Sequence, residues 1–163
     1  MAESGSTQKL NGLLVIDKPL GWTSMDVVRR ARSAAGGRVK GPNKLKVGHA
    51  GTLDPLATGV LVLCFGKATR LVESLMGGTK VYEAAVDLSA FTASDDVEMP
   101  RQEVEVATPP TVEQIDAALA QQTGVIEQVP PNFSAVHVDG QRAYKAARKG
   151  ESVEIKPKQV RID

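Results

Sequence analysis

Between Gly48 and Gly59 the chain reads Gly-His-Ala-Gly-Thr-Leu-Asp-Pro-Leu-Ala-Thr-Gly, and Asp54 is the only acid between Asp26 and Glu73. Gly48, Gly51 and Gly59 allow tight turns and close approach of backbone to a ligand. Pro55 fixes the backbone beside Asp54 and biases it toward an extended conformation. Thr52 and Thr58 offer hydroxyls that could hold the loop or a carboxylate in place. A carboxylate presented rigidly in this way is suited to acid–base or nucleophilic work. The structural alternative is an Asx-type turn, in which Asp54 binds its own backbone. The single cysteine, Cys64, lies in the apolar run 60–65 and reads as a buried small hydrophobe rather than a reactive thiol. It permits no internal disulfide, and no cysteine cluster is available for a metal.

Several elements must position that loop. Leu13-Leu14-Val15-Ile16 is a continuous apolar run and predicts a buried strand. Thr23 or Ser24 can cap a helix whose apolar residues Val27, Val28, Ala31, Ala34 and Ala35 recur at helical spacing before Gly36-Gly37. Residues 48–59 are expected as loop, 60–65 as an apolar strand and 68–76 as a short helix. Residues 80–88 alternate, with Tyr82, Ala84, Val86 and Leu88 on one face, and predict a half-buried strand. An acidic loop over 94–100 precedes a strand at 103–106. Thr111 with Gln114 forms a capping box for a helix through Gln122, with Gly124 just past its end. Residues 133–138 are expected to be extended, Asp139-Gly140 to turn, and 142–149 to form a last helix. This mixture indicates an α+β fold, an open mixed, mainly antiparallel sheet with helices packed on it.

The 163 residues suffice for one domain with its own core, after a polar tail over residues 1–10 that is expected to be disordered. With 42% hydrophobic and 24% charged residues the composition is that of an ordinary soluble protein. No apolar run reaches the roughly 20 residues that span a bilayer, so no membrane association is expected and the cytoplasm is the natural compartment. The net charge of +1 conceals an uneven distribution. Arg29, Arg30, Arg32, Arg38, Lys40, Lys44 and Lys46 lead up to Asp54 without an intervening acid, and bases return after His137. Such a basic stretch suits a polyanionic substrate, because Lys and Arg neutralise phosphates. A solvated helix face followed by a basic loop explains the same residues. No Gly-x-x-x-x-Gly-Lys-Ser/Thr pattern occurs, which argues against a phosphate-binding NTPase.

GHAGTLDPLATG is similar to the catalytic motif of the bacterial TruB family of tRNA pseudouridine synthases, whose aspartate falls on Asp54. Upstream, Asp17-Lys18-Pro19-Leu20-Gly21-Trp22-Thr23-Ser24 resembles that family's first motif. Gly66-Lys67-Ala68-Thr69-Arg70, Lys80-Val81-Tyr82 and the run over 130–150 also fall in the expected places. The resemblance extends over residues 11–157. It implies a pseudouridine synthase catalytic domain that isomerises the T-loop uridine of tRNA to pseudouridine without cofactor or metal.

The implied roles follow residue by residue. A stacked uridine must leave the loop and enter a pocket, which takes roughly a few kcal/mol of unstacking. Asp54 would then attack the anomeric carbon or remove the C2′ proton. His49 would enter the T loop, Tyr82 would stack on the target base, Gly48 would belong to the substrate-binding loop, and Lys18 would support the pocket. From the residues alone, a lone histidine such as His49 is more often structural, and Tyr82 reads as a core tyrosine on the face with Ala84 and Val86. Phe133 and His137 replace the tyrosine and lysine common at these places. The family's later Lys-Gly-Thr-Tyr-Ile-Arg-like segment, which supplies an arginine partner for the aspartate, has no counterpart here, nor has the small C-terminal RNA-binding domain. The expectation is therefore a partial catalytic domain over 11–163 with little activity by itself, from an enzyme that is monomeric when complete. The rival readings are a non-catalytic RNA-binding fragment and a glycoside or nucleoside hydrolase, which would normally require a second positioned carboxylate or another activating group.

Overall fold

The computed structural model describes residues 10–36, 44–130 and 155–163, together with the backbone of 137–138 and 141–142. The chain divides into two compact units, Met1–Tyr82 and Glu83–Asp163.

The first unit is built on a three-stranded antiparallel sheet. Strands β1 (Gly12–Lys18) and β2 (Val47–His49) flank β3 (Gly59–Phe65), so β3 is central and β1 lies at an edge. The register pairs Ile16 with Leu61, Leu14 with Leu63, and His49 with Leu63. Directly paired residues share a face, so alternate residues of β3 form one apolar row. That row is covered by helix α1 (Ser24–Ala34), and Leu61, Leu63 and Phe65 pack with Val27, Val28 and Val47. Each such side chain contributes roughly 1.5–3 kcal/mol on burial.

Helix α1 starts as its sequence dictates. Thr23 is the cap: its Oγ1 accepts the Asp26 N–H at 3.1 Å, and the Asp26 carboxylate accepts the Thr23 N–H at 3.1 Å. The helix ends at Ala35, and Gly36 follows at φ +72°. After β3 the chain forms a 3-10 turn over Gly66–Leu71 and then α2 (Val72–Met76), where the sequence predicts one short helix.

Three expectations for this unit are corrected. β1 forms, but Leu13, Leu14 and Val15 are exposed: Leu14 shares the α1 face at a margin the helix does not cover, and Leu13 and Val15 point to the opposite face of the sheet. An apolar groove of about 580 Å³, bounded by Leu14, Ile16, Trp22, Ala31 and Phe65 among others, marks that uncovered margin. Gly48 and His49, expected as loop, lie in β2, since β3 offers them a ladder. Residues 81–87 form no strand, and Val81, Tyr82 and Val86 are exposed. Alternation makes a strand only where a neighbour completes the hydrogen-bond ladder, and no described residue pairs with this segment.

In the second unit, β4 (Ala90–Phe91) pairs with β5 (Gln102–Glu103), and β6 (Gly124–Gln128) pairs with β9 (Lys158–Ile162). The strand expected at 103–106 is thus reduced to a two-residue pairing, while β6 and β9 were not expected. Helix α3 (Val112–Ala120) carries the Thr111–Gln114 capping box as read. Strands β7 (His137–Val138) and β8 (Gln141–Arg142) pair, placing Arg142 in a strand rather than at the start of a helix. The rest of that helix, Phe133 and the Asp139-Gly140 turn lie outside the described residues. The fold is α+β with antiparallel pairing throughout the described residues. The single open sheet expected is, among those residues, four separate ones.

Candidate active site

Asp54 sits on the connection from β2 to β3. Ala50 continues the β2 pairing by donating to the Val62 carbonyl at 2.8 Å, after which Gly51, at φ +111°, turns the chain away from the sheet. Gly59, at φ +117°, brings it back into β3. Both angles lie in the region that favours glycine. Between them the loop is fastened at three points by the segment 17–24. The Leu53 N–H donates to Ser24 Oγ at 2.9 Å, and that hydroxyl donates to the Leu53 carbonyl at 3.1 Å. The Gly21 N–H donates to the Pro55 carbonyl at 2.8 Å. The Gly59 N–H donates to the Asp17 carboxylate at 3.1 Å.

The Asp54 side chain itself is exposed. The turn that contains it is closed by backbone, with Ala57 N–H donating to the Asp54 carbonyl at 3.1 Å. The carboxylate is therefore not the closing group of an Asx turn, and no described residue donates a hydrogen bond to it. It is a carboxylate on a fixed backbone, open to whatever approaches.

Lys18 lies at the other end of the fastening segment. Its side chain is fully buried, and Nζ donates to the carbonyls of Pro19 at 3.0 Å and Trp22 at 2.7 Å. These bonds tie together the turn whose Gly21, at φ +80°, reaches Pro55. His49, at the end of β2, is half-buried, and its Nδ1 lies 2.6 Å from the Gly51 carbonyl. A carbonyl can only accept, so the proton sits on Nδ1 and a neutral ring keeps Nε2 as an acceptor. Gly48 is in ordinary strand conformation, and a methyl group there would meet Val72 Cγ2 at 3.9 Å. Among the described residues no three His, Cys, Asp or Glu side chains gather as metal ligands would, and no helix is long and apolar enough to cross a membrane.

The family model for the N-terminal domain of TruB family pseudouridylate synthases matches residues 38–163. The chain belongs to the TruB family. It is 51% identical over 158 residues to the tRNA pseudouridine synthase B of Bacteroides thetaiotaomicron, an alignment covering 95% of this chain and 64% of that protein. Against the tRNA pseudouridine synthase B of Thermobifida fusca the identity is 50% over 152 residues, covering 93% of this chain and 50% of the relative. The chain thus spans between half and about two thirds of the length of these curated relatives.

The match to the TruB model begins at Gly37's neighbour Arg38, downstream of the segment 17–24 that fastens the Asp54 loop. Structure therefore joins to the loop a segment that this match does not include. Of the sequence-predicted residues, Gly48, His49 and Asp54 share one strand-and-loop unit, and Lys18 braces it through the 19–22 turn. Tyr82 is 74% exposed, outside any strand, and makes no hydrogen bond among the described residues. Sequence reading missed Ser24, Gly21 and Asp17 as loop anchors. The signal available was the proximity of three polar or glycine residues in one short motif, but Ser24 at a helix start reads first as a cap.

Proposed function

We propose that this chain carries the catalytic aspartate of a tRNA pseudouridine synthase acting on the T-loop uridine, with Asp54 as the group that engages the ribose. The supporting observation is an exposed carboxylate on a loop anchored on both sides, in a chain about half identical to proteins named tRNA pseudouridine synthase B. The flipped uridine would present C1′ and C2′ to Asp54, as nucleophile or as base. The N1–C1′ bond breaks, the uracil turns, and a C5–C1′ bond forms. The C5 proton leaves and N1 takes one up, so the product is an isomer and no cofactor or metal is required. His49 and Gly48 contact the T stem-loop, Tyr82 stacks on the target base, and Lys18 supports the pocket. The pseudouridine synthase catalytic fold over residues 11–163, a cytoplasmic location and a monomeric complete protein belong to the same reading.

The test uses the complete protein encoded by the gene and a T stem-loop RNA tritiated at uridine C5. Tritium release is expected, and Asp54→Asn lowers it by at least about 10³-fold while RNA binding persists. Binding without turnover in the wild type would favour an RNA-binding fragment, and free uracil among the products would favour a hydrolase. Either outcome overturns the proposal.

A further inference from the structure

Ser24 is 3% exposed and is the first residue of α1. The capping of that helix is already complete without it, since Thr23 and Asp26 satisfy one another's backbone N–H groups. The Ser24 hydroxyl is instead engaged twice with Leu53, as acceptor from its N–H and donor to its carbonyl. A hydroxyl has one proton to give and can accept as well, so this single group stands in for a neighbouring strand at one residue.

The Leu53 carbonyl belongs to the planar peptide unit that also contains the Asp54 nitrogen. Holding that carbonyl fixes the plane from which the Asp54 side chain departs. On the other side, the Pro55 ring limits φ and Gly21 holds the Pro55 carbonyl. We propose that Ser24 is a positioning residue for Asp54, acting through the Leu53–Asp54 peptide. This rests on the proposed role of Asp54. Adjacent hydroxyls thus divide two tasks: Thr23 starts the helix, and Ser24 aims the loop.

Two variants separate those tasks in the complete protein. Ser24→Ala is expected to lower kcat for the T stem-loop by about 10–100-fold, as a displacement near 1 Å can, with KM changed by less than about threefold. It should also accelerate amide exchange at Leu53 by at least about tenfold, the amide having lost its acceptor. Thr23→Ala is expected to lower the melting temperature while keeping kcat within about threefold of wild type. If Ser24→Ala does not fold, Ser24→Cys, a weaker donor and acceptor of similar size, carries the same measurements. Unchanged Leu53 exchange overturns the clamp whatever the activity. Faster Leu53 exchange with undiminished kcat overturns the positioning role. Should Asp54→Asn keep full turnover, it is the assignment of Asp54 that fails, a result readable independently of the exchange data.

Discussion

Among the described residues, the two units of the chain show different kinds of side-chain contact. In Met1–Tyr82, side chains bind backbone 29, 42 and 56 positions away, as Ser24 does with Leu53, Asp17 with Gly59 and Asn11 with Lys67. These bonds surround a core in which Leu63 and Val28 are fully buried. Among the described residues of Glu83–Asp163 the side-chain bonds are mostly between near neighbours, such as Ser89 with Asp87 and Thr111 with Gln114. Among the described residues the longer-range ties there are the β6–β9 ladder and the β4–β5 pairing with its Arg101 bonds to Asp87 and Ser89, and Ser94 and Ile155 are the buried residues. A group that must be held to within a fraction of an ångström needs the first kind of contact. The reactive carboxylate proposed here is found in the unit that has it.

The sharpest way to break this contrast is to remove equal side chains from the two units. Leu63→Ala is expected to destabilise by about 2–5 kcal/mol, because it leaves a cavity under α1. Leu119→Ala, at a position 59% exposed on α3, should change stability by less than about 0.5 kcal/mol. Urea unfolding of the two variants provides the comparison, and similar losses would show that α3 is buried as firmly as β3. Within the first unit, a smaller difference separates two glycines of the same motif. Gly51→Ala imposes a positive φ on a side chain and should destabilise by about 1–2 kcal/mol, although nothing crowds the site. Gly48→Ala should be neutral or slightly stabilising, since its backbone is already ordinary strand. Equal effects on melting temperature would mean that the loop does not depend on its turn at Gly51.

Local rules were legible in the chain and non-local ones were not. The Thr111–Gln114 box is visible because partners three residues apart meet in any helix. The Gly51 and Gly59 turns are likewise written in single residues. Ser24 is different: its hydroxyl could cap, and only the packing of α1 over β3 brings it against Leu53. Thr52 and Thr58, the hydroxyl residues nearest Asp54 in sequence, form none of the three loop anchors. Leu13, Leu14 and Val15 show the same limit from the other side, since their apolarity predicts burial but the number of covering layers decides it. The alternation over 80–88 records a preference for a pleated neighbour, which is a property of the chain. Whether a neighbour is present is a property of the fold.

The mildest test concerns the exposed bonds described at the β4–β5 hairpin of the second unit. Asp87 accepts from the Ser89 hydroxyl at 2.7 Å, from the Ser89 N–H at 2.9 Å and from Arg101 at 2.8 Å. The Ser89 hydroxyl leads these influences, followed by the Ser89 amide and Arg101, and together they hold the Asp87 carboxyl well below the usual carboxylate range. A depressed folded-state value means that the ionised form is favoured by the fold. The associated stabilisation is present above the unfolded value near 3.9 and is lost as the pH falls through the folded one. A carboxyl-detected NMR titration should therefore find Asp87 still ionised at a pH where an ordinary aspartate is half protonated. Arg101→Gln should move the midpoint upward only part of the way, because both Ser89 donors remain. An Asp87 that titrates in the ordinary range before any substitution would mean that these surface bonds are too transient in water to order the hairpin, leaving the β6–β9 ladder as the main long-range tie described in that unit.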